Sequence, residues 1–202
     1  MSQLTDSPRL TARFTEALTY AAELHNTQVR KGGDIPYVGH LLSVSALVIE
    51  AGGTETQAIA ALLHDAVEDQ GGADTLAEIE SRFGKDVARI VEDCSDTDED
   101  PKPPWRARKE SYIEHLATVS NETILVSLAD KLDNARAILR DLRNEGPSLW
   151  ERFTQNNPND HLWYYTALVE KYESTSDNWM VGELKRTIAL IEREIVGGLA
   201  RK

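Results

Sequence analysis

Residues Ala61–Gln70 read ALLHDAVEDQ, and this stretch sets His64 beside Asp65 in an otherwise apolar, helix-like segment. Two more acids, Glu68 and Asp69, follow one turn later. Residues four apart on a helix share a face, so the histidine lies in line with the first acid and the aspartate with the second. Burying unpaired carboxylates is costly, and a divalent cation offsets that cost. The stretch therefore predicts a metal site in an apolar core.

Two further segments each carry a single polar group in a context that otherwise resembles core. His40 stands in PYVGHLLSV, at or just before the start of a helix, and Asp130 stands inside the apolar ILVSLADKLDNAR. With the first pair they would give two imidazoles and two carboxylates, a mixture that suits Mn²⁺, Fe²⁺ or Zn²⁺ better than Ca²⁺ or Mg²⁺. No cysteine takes part, so a closed structural zinc site is disfavoured.

The simpler interpretation is a buried histidine satisfied by a neighbouring carboxylate, because His-Asp dipeptides occur by chance in many proteins. What favours a metal site is the succession of three such segments along one chain. In order, they are RKGGDIPYVGH at 30–40, LLHDAVED at 62–69 and SLADKLDNAR at 127–136. Each adds a metal-ligating residue type to the same candidate set.

The composition limits the classes of partner. The chain has 202 residues, 41% of them hydrophobic, which predicts one domain with a substantial core. A formal net charge of −12 disfavours nucleic-acid binding through a broad basic surface, and it also disfavours anionic membranes. The positive charge needed to bind a polyanionic substrate must then be local, supplied by a metal and a few Lys or Arg residues.

Cysteine usage and the N-terminal residues predict a cytoplasmic protein. Cys94 is the single cysteine, so no intramolecular disulfide can form, which fits a reducing cytosol. The first ten residues hold no apolar signal core, and no window of the sequence reaches the length of a membrane span. We therefore expect neither a membrane nor a nucleic acid among its partners.

Helical periodicity runs through nearly the whole sequence and is interrupted by glycine and proline clusters. It predicts an all-α fold without strands or internal repeats. One helix is expected to begin after a Thr54 cap, to carry the His-Asp pair and to stop at Gly71–Gly72. Residues 1–202 are expected to form a single domain, with the metal-site core at about 25–145 and C-terminal helices at about 159–200.

The three segments resemble the HD-domain phosphohydrolases and, within them, the hydrolase domain of RelA/SpoT proteins. That domain shows an RK…PY..H block, an HD…ED block and an LAD(K/R)L.N.R block, and the resemblance here runs from about Arg30 to Arg136. The chain is most similar to the stand-alone members, the small alarmone hydrolases. The resemblance implies an HD-domain helical bundle that hydrolyses the 3′-pyrophosphate of the guanine nucleotides ppGpp and pppGpp, usually with Mn²⁺.

The resemblance also implies roles for individual residues. The implied metal ligands are His40, His64, Asp65 and Asp130. Glu68 and Asp69 match the acidic pair that handles the attacking water, and they are the catalytic candidates. Arg30 and Lys31 match a basic pair near the nucleotide, and Asn134 matches an asparagine that contacts it.

Two more features are candidates for substrate binding. Arg106, Arg108 and Lys109 form a basic cluster in the first turns of a helix, where they would clamp a phosphate or else form a solvated face with acidic partners. Either Tyr164 or Tyr165 faces the nucleotide, as a tyrosine on this helix does in related hydrolases, or both are ordinary core aromatics. Three histidines match no motif and are interpreted as ordinary: His25, His115 and His161.

Two departures from the family pattern leave room for a different nucleotide. The loop between Lys31 and Tyr37 differs from the sequence that is most common at this place in the family. Ala137 stands where many members carry a hydroxyl residue. The alternatives are therefore an HD phosphohydrolase for NADPH 2′-phosphate or a nucleoside monophosphate, and a non-catalytic alarmone-binding or toxin-neutralising protein. The intact metal-ligand set and the Glu68–Asp69 pair disfavour a non-catalytic protein. No synthetase domain follows the motifs, so one-way hydrolysis is expected, and a homodimer is left open.

Overall fold

The computed structural model describes residues 9–95 and 101–199, and α-helices make up most of them. Within these ranges there is no strand, and the only strand-like pairing is an isolated bridge between Val29 and Pro36. The all-α prediction is confirmed. In chain order the helices are α1 (Ala12–Leu24), α2 (Val38–Glu50), α3 (Glu55–Leu63), α4 (Ala66–Gln70), α5 (Gly72–Phe83), α6 (Lys85–Cys94), α7 (Trp105–His115), α8 (Asn121–Glu145), a 3-10 helix (Gly146–Arg152), α9 (Pro158–Thr175) and α10 (Trp179–Leu199).

Side-chain caps fix the starts of the two helices at the centre of the fold. Thr54 begins α3 with a capping box, in which its hydroxyl accepts from the Gln57 amide and the Gln57 side chain accepts from the Thr54 amide. Ser120 caps α8, because its hydroxyl accepts from the amide of Thr123. These caps satisfy amides that have no partner inside the helix, so both helices start at defined residues.

The expected single helix through the His-Asp pair is wrong. Helix α3 ends at Leu63, His64 and Asp65 form a turn, and α4 starts at Ala66. Asp65 lies at φ −96° and ψ −2°, in the bridge region where active-site residues are often found. Neighbouring side chains on a continuous helix point about 100° apart, and the turn lets both point at the same place.

Helices α3 and α8 form the centre of the core. Every residue from Gln57 to Leu63 is buried, and α8 packs against α2, α3, α6 and α10. A helix that is apolar all round must be enclosed by other helices, and α1, α2 and α6 cover α3. Because α2 and α8 meet on this centre, His40 of α2 and Asp130 of α8 come close to the turn after α3.

The C-terminal part adds helices beside the end of α8. The 3-10 helix packs on α8, α9 packs on α7, α8 and α10, and α10 runs along α8. The sequence predicted the end of α8 at Gly146 and Pro147 but not this 3-10 helix. Within the described ranges, none of the helices combines the length and apolarity needed to cross a membrane.

Candidate functional site

Four side-chain atoms from α2, the turn after α3, and α8 converge on one point. Nε2 of His64 lies 3.0 Å from Oδ2 of Asp65 and 3.5 Å from Oδ1 of Asp130. Nε2 of His40 lies 3.5 Å and 3.2 Å from the same two oxygens. The two imidazole rings are 5.1 Å apart at their centres. The structure thus brings together all four residues that were predicted as metal ligands.

The outer nitrogens of both histidines fix their tautomers. Nδ1–H of His64 donates to the carbonyl oxygen of Ala61 at 2.8 Å, and Nδ1–H of His40 donates to Oδ2 of Asp133 at 2.7 Å. Each Nε2 is buried and has no hydrogen-bond partner among the described residues, although carboxylate oxygens lie close to it. A buried nitrogen without a hydrogen bond needs another partner, and a cation meets that need.

The donor set fits a divalent cation. Ligand atoms of His40, His64 and Asp65 all lie within 4.8 Å of one another, and the distances above add Asp130 to the group. Two imidazole nitrogens and two carboxylate oxygens are ligands that transition metals share. These four residues could therefore hold a divalent metal.

The charges of the four groups are strongly coupled. Burial alone would lower the pKa of His40, but the nearby carboxylates of Asp130, Asp133 and Asp65 outweigh it and raise the pKa to about 11. The pKa of His64 rises to about 9 in the same way, against the burial effect, through Asp65 and Asp130. Burial would raise the pKa of Asp65, but the neighbouring imidazoles hold it well below its usual value. The cluster therefore attracts cations, whether protons or a metal.

Asp133 supports the cluster from outside and was not predicted. Its carboxylate accepts from His40, from the Ser43 hydroxyl and from the Arg30 guanidinium. An NH2 of Arg30 also lies 2.9 Å from Nδ1 of His40, but both atoms are donors when the imidazole donates to Asp133, so the carboxylate is the shared acceptor. A further bond, 3.3 Å long, runs from Arg30 to Oδ1 of Asn134. Arg30, predicted to contact nucleotide, therefore also supports a candidate ligand.

Three donors orient the two carboxylate ligands. The Tyr37 hydroxyl donates to Oδ2 of Asp65 at 2.6 Å. Nζ of Lys131 donates to Oδ2 of Asp130 at 2.6 Å, and the amide of Asn134 donates to Oδ1 of the same residue. Burial would raise the pKa of Asp130, but Lys131 and both histidines keep it well below its usual value. These bonds hold the carboxylates charged and aimed at the cluster.

The two catalytic candidates differ in position. Glu68 lines a cavity of about 180 Å³ that Asp65 also lines, and it pairs with Lys102 at 2.9 Å. Asp69 is absent from the described lining of that cavity and accepts from Nε2 of Gln28 at 2.7 Å. Burial raises the pKa of Asp69, and nearby carboxylates add to the effect. Glu68 is therefore the acid that faces the space next to the cluster.

The cavity beside the cluster is rich in cations. In addition to Asp65 and Glu68, four basic residues line it: Lys31, Arg108, Lys109 and Lys131. Its remaining walls include Cys94, Tyr112, Thr154 and Gln155. A chain with a net charge of −12 thus places positive charge locally next to its candidate metal ligands, as a pyrophosphate group requires.

A second cavity, of about 300 Å³, adjoins the first and is more aromatic. Residues that line both are Lys31, Trp105, Lys109, Lys131, Phe153, His161 and Tyr164. Residues found only in the wall of the larger one include Arg30, Tyr37, Asn134, Ala137, Ile138, Asp141, Leu149, Arg152 and Tyr165. Flat rings, aliphatic side chains and a few polar groups form a wall that suits a nucleoside.

Most predicted substrate-binding residues line these cavities, but Arg106 lies elsewhere. Lys109 and Tyr164 line both cavities. The guanidinium of Arg106 stacks over Trp163, 3.1 Å from the ring centre, and pairs with Glu110 at 2.8 Å. On α7 the residues that face the site are three or four apart, beginning with Trp105, and position 106 falls outside that row.

Several residues of the site were missed by the sequence analysis. His161, interpreted as ordinary, lines both cavities and packs against Trp105, Trp150 and Phe153. Lys131 directly follows the predicted ligand Asp130 in the third motif, and this position could have identified it as a residue of the site. Arg152 and the aromatic residues lie outside any motif, and only the fold reveals them.

Comparison with known proteins assigns the family. The profile described as HD domain matches residues 17–157. The guanosine-3′,5′-bis(diphosphate) 3′-pyrophosphohydrolase MESH1 of Xenopus tropicalis is 42% identical over 142 residues, covering 69% of this chain and 74% of that protein. The MESH1 protein of Homo sapiens is 40% identical over 168 residues, covering 82% and 87%.

A solved structure agrees with the sequence relatives. It is a metazoan orthologue of SpoT that hydrolyses ppGpp, and it superposes with a TM-score of 0.75 at 33% identity, covering 94% of this chain and 99% of the other. The agreement extends over the motif-bearing helices and the C-terminal helices alike. The chain therefore belongs to the HD-domain family and, within it, to the group of stand-alone 3′-pyrophosphohydrolases represented by MESH1.

Proposed function

We propose that this protein hydrolyses the 3′-pyrophosphate of ppGpp and pppGpp, releasing pyrophosphate and leaving GDP or GTP. The observation that carries the proposal is that the four-residue cluster shares Asp65 with the lining of a cavity that four basic residues also line. The relatives named for this activity align with this chain in sequence over most of their length, and the solved structure shares its fold. A metal-ligating cluster next to positive charge is the arrangement that phosphoanhydride and phosphoester hydrolysis require.

The bound cation would be held by His40, His64, Asp65 and Asp130, and we propose Mn²⁺. When bound, a divalent ion supplies Lewis-acid stabilisation of phosphate charge and makes water a stronger nucleophile at neutral pH. Tyr37, Lys131 and the outer hydrogen bonds of the two histidines keep the ligands aimed at one point. The protein's own contribution there is a fixed and negatively charged set of ligands.

Glu68 is the proposed general base. Its carboxylate faces the smaller cavity, one turn after His64, where it can accept the proton of the attacking water. The water oxygen bonds to the phosphorus attached to O3′, the bond from that phosphorus to O3′ breaks, and O3′ takes up a proton from solvent to become the free hydroxyl while pyrophosphate is released. Asp69 is absent from the described lining of this cavity and accepts from Gln28, so we propose that it supports the base rather than replacing it.

The remaining charged residues of the cavities bind the substrate in this proposal. Lys31, Lys109 and Lys131 line both cavities and so stand where the pyrophosphate and the ribose meet. Each would donate charged hydrogen bonds to phosphate oxygens. Asn134 and Tyr164 lie along the wall that continues into the larger cavity, where the nucleoside would lie.

Pyrophosphate release from ppGpp in the presence of Mn²⁺ tests the proposal. NADPH and GMP serve as competing substrates, and the His64→Ala variant serves as the inactive control. We expect rapid pyrophosphate release from ppGpp and a kcat/KM for ppGpp well above the values for NADPH and GMP, whose turnover is measured as released orthophosphate. A higher kcat/KM for NADPH or GMP would assign this HD-domain enzyme to a different nucleotide, and binding of ppGpp without turnover would make it a non-catalytic binder.

A further inference from the structure

The larger cavity has one acidic residue in its described lining, and the proposed reaction does not use it. That residue is Asp141, among sixteen lining residues that include five Lys or Arg side chains. The acids of the metal end, Asp65 and Glu68, line the other cavity. A carboxylate would repel every phosphate group of the substrate. On this wall Asp141 is therefore suited to contact a part of the nucleotide that carries no phosphate.

Asp141 lies on the face of α8 that lines the cavity. Asn134, Ile138 and Asp141 are four and three residues apart, so they follow one another along a single face of the helix. Asn134 donates to the metal-ligand candidate Asp130, whereas Asp141 lies about two turns further along. The helix thus spans from the metal end to a point about 10 Å further along its axis, about the length of a nucleoside.

Arg152 is held beside Asp141 in the same wall. Its NH1 lies 3.6 Å from Oδ2 of Asp141, and its NH2 donates to Glu145. Its side chain packs directly over Gly32, where an added Cβ would lie 2.1 Å from the Cδ of Arg152. Both Asp141 and Arg152 keep 22% of their side-chain surface exposed, so each can still reach a ligand in the cavity.

The carboxylate of Asp141 has acceptor capacity left. Oδ1 accepts one hydrogen bond, from Nε of Arg140 at 2.8 Å, and Oδ2 lies at the longer distance from Arg152. An ionised carboxylate offers about four lone-pair sites. Two N–H groups of a ligand can therefore be accepted without breaking the contacts that hold this side chain.

We infer that Asp141, with Arg152 beside it, recognises the guanine base by its Watson–Crick edge. Guanine presents a row of O6, N1–H and N2–H₂, which is one acceptor followed by two donors. A guanidinium next to a carboxylate offers the matching donor and acceptors. Adenine presents the N6 amino group as a donor and N1 as an acceptor. Its donor would face the guanidinium, which is also a donor, and its acceptor would face the carboxylate, which is also an acceptor. Ile138, Leu149 and Phe153 supply apolar walls for the ring faces. The inference rests on the proposed guanine-nucleotide substrate.

Base-modified substrates and two variants test the inference. The probes are ppGpp, its inosine analogue, which lacks the N2 amino group, and its adenosine analogue, ppApp. The variants are Asp141→Asn, which keeps the shape, and Asp141→Ala. Glu151→Gln is the matched control, because it removes one negative charge from an exposed neighbour of Arg152 that is not among the described lining of either cavity. Pyrophosphate release gives kcat and KM, and calorimetry gives the affinities for GDP and IDP without turnover.

For the wild type we expect kcat/KM to fall in the order ppGpp, inosine analogue, ppApp. Asp141→Ala and Asp141→Asn should raise the KM for ppGpp by about 10- to 100-fold, the range of a bidentate base contact, while kcat changes little. They should also bring ppGpp and the inosine analogue to within about twofold of each other, and Glu151→Gln should keep the wild-type ratio.

Two results would overturn the inference. One is an unchanged preference for guanine over hypoxanthine in folded Asp141 variants, in both turnover and GDP–IDP binding. The other is a wild type that binds GDP and IDP equally. Failure of the proposed function gives a different pattern, in which the wild type releases no pyrophosphate from any of the three substrates. In that case a GDP–IDP difference that disappears in the Asp141 variants still supports the base contact.

Discussion

The metal end and the nucleoside end of the site are built in different ways. The four ligand candidates of the metal end come from α2, α8 and the turn after α3, which meet at the centre of the core. Each makes at least one further hydrogen bond: the two histidines donate to Ala61 and Asp133, and the two aspartates accept from Tyr37 and Lys131. The nucleoside end shares one side of α8 with the metal end, but its other walls come from the loop 28–37, α7, the 3-10 helix with the residue after it, and α9, which lie outside that centre.

The difference separates chemistry from selectivity. A buried cluster whose members share charge works as a unit, so loss of one member disables it. A cavity wall with many moderate contacts loses affinity gradually when one contact is removed. We therefore expect substitutions at the metal end to abolish the reaction and substitutions at the nucleoside end to change KM and base preference.

Removing a ligand should have the largest effect. In His64→Ala the cluster loses a nitrogen that has no other partner among the described residues, and three charged neighbours are left without it. We expect bound metal and the release of pyrophosphate from ppGpp to disappear together. Elemental analysis after dialysis and a pyrophosphate assay measure the two losses. Full metal content in this variant, or in Asp65→Ala, would show that the ligands lie elsewhere.

Glu68→Gln should separate the reaction step from binding. The amide keeps the shape of the side chain but cannot accept the proton of the attacking water. We expect kcat to fall by about 100-fold or more, with metal content and ppGpp affinity retained. Single-turnover kinetics and calorimetry measure these quantities. A near-normal kcat would assign the base to another residue, and Asp69→Asn would then be the next variant to measure.

Metal affinity should depend strongly on pH. Despite burial, nearby carboxylates raise the pKa of His40 to about 11 and of His64 to about 9 in the metal-free protein. Metal binding needs neutral imidazoles, so up to two protons must leave, and affinity should rise with pH by up to about 100-fold per unit between about pH 6 and 8. Calorimetry in buffers of different ionisation enthalpy counts the released protons. Binding without proton release would show that the carboxylates do not keep His40 and His64 protonated in the metal-free protein.

The outer support of the cluster should contribute less than the ligands themselves. Asp133→Asn leaves the four ligands in place but weakens the acceptor that fixes the tautomer of His40. We expect metal affinity to fall by about 10- to 100-fold, as for other residues that orient metal-bound histidines. Saturating Mn²⁺ should restore most of the activity. Asp86 is exposed, and Asp86→Asn is the matched control. Equal metal affinity in both variants would show that Asp133 does not support the metal ligands.

The smallest expected effect belongs to the shared wall of the two cavities. Lys31→Ala removes one exposed cation that lines both. We expect KM for ppGpp to rise about tenfold, the effect of one charged hydrogen bond, with kcat and metal content unchanged. Added salt should weaken wild-type binding more than binding by the variant. Lys85→Ala, an exposed cation outside the described lining of both cavities, is the control.

The sequence predicted the metal end better than the nucleoside end for a physical reason. The candidate ligands on α2, on α8 and in the turn after α3 can be recognised locally, because a polar residue in an apolar segment is visible in the sequence itself. The break after Leu63 was not visible, since the surrounding pattern continues at helical period. Arg30 was predicted as a nucleotide contact, and its bond to Asp133 depends on how α2 packs against α8.

No comparable local pattern in the sequence identifies the residues of the nucleoside end. Arg152, Phe153 and His161 lie in segments of ordinary composition, and only the packing of α9 and the 3-10 helix against the rest brings them to the cavity. The same applies to Arg106, whose place in a basic cluster suggested a phosphate contact that its direction on α7 does not support. The single-domain assignment, the compartment and the homodimer stay predictions.

The contact between Gly32 and Arg152 constrains how sequences of this type can diverge. Gly32 has a φ of +78° and the Arg152 side chain lies where its Cβ would be, so two independent restrictions act on one position. A larger residue at 32 becomes acceptable only after residue 152 has been shortened, and a chain that does both gives up the cation next to Asp141. We expect homologous sequences to change these two distant positions together, and to change base preference when they do.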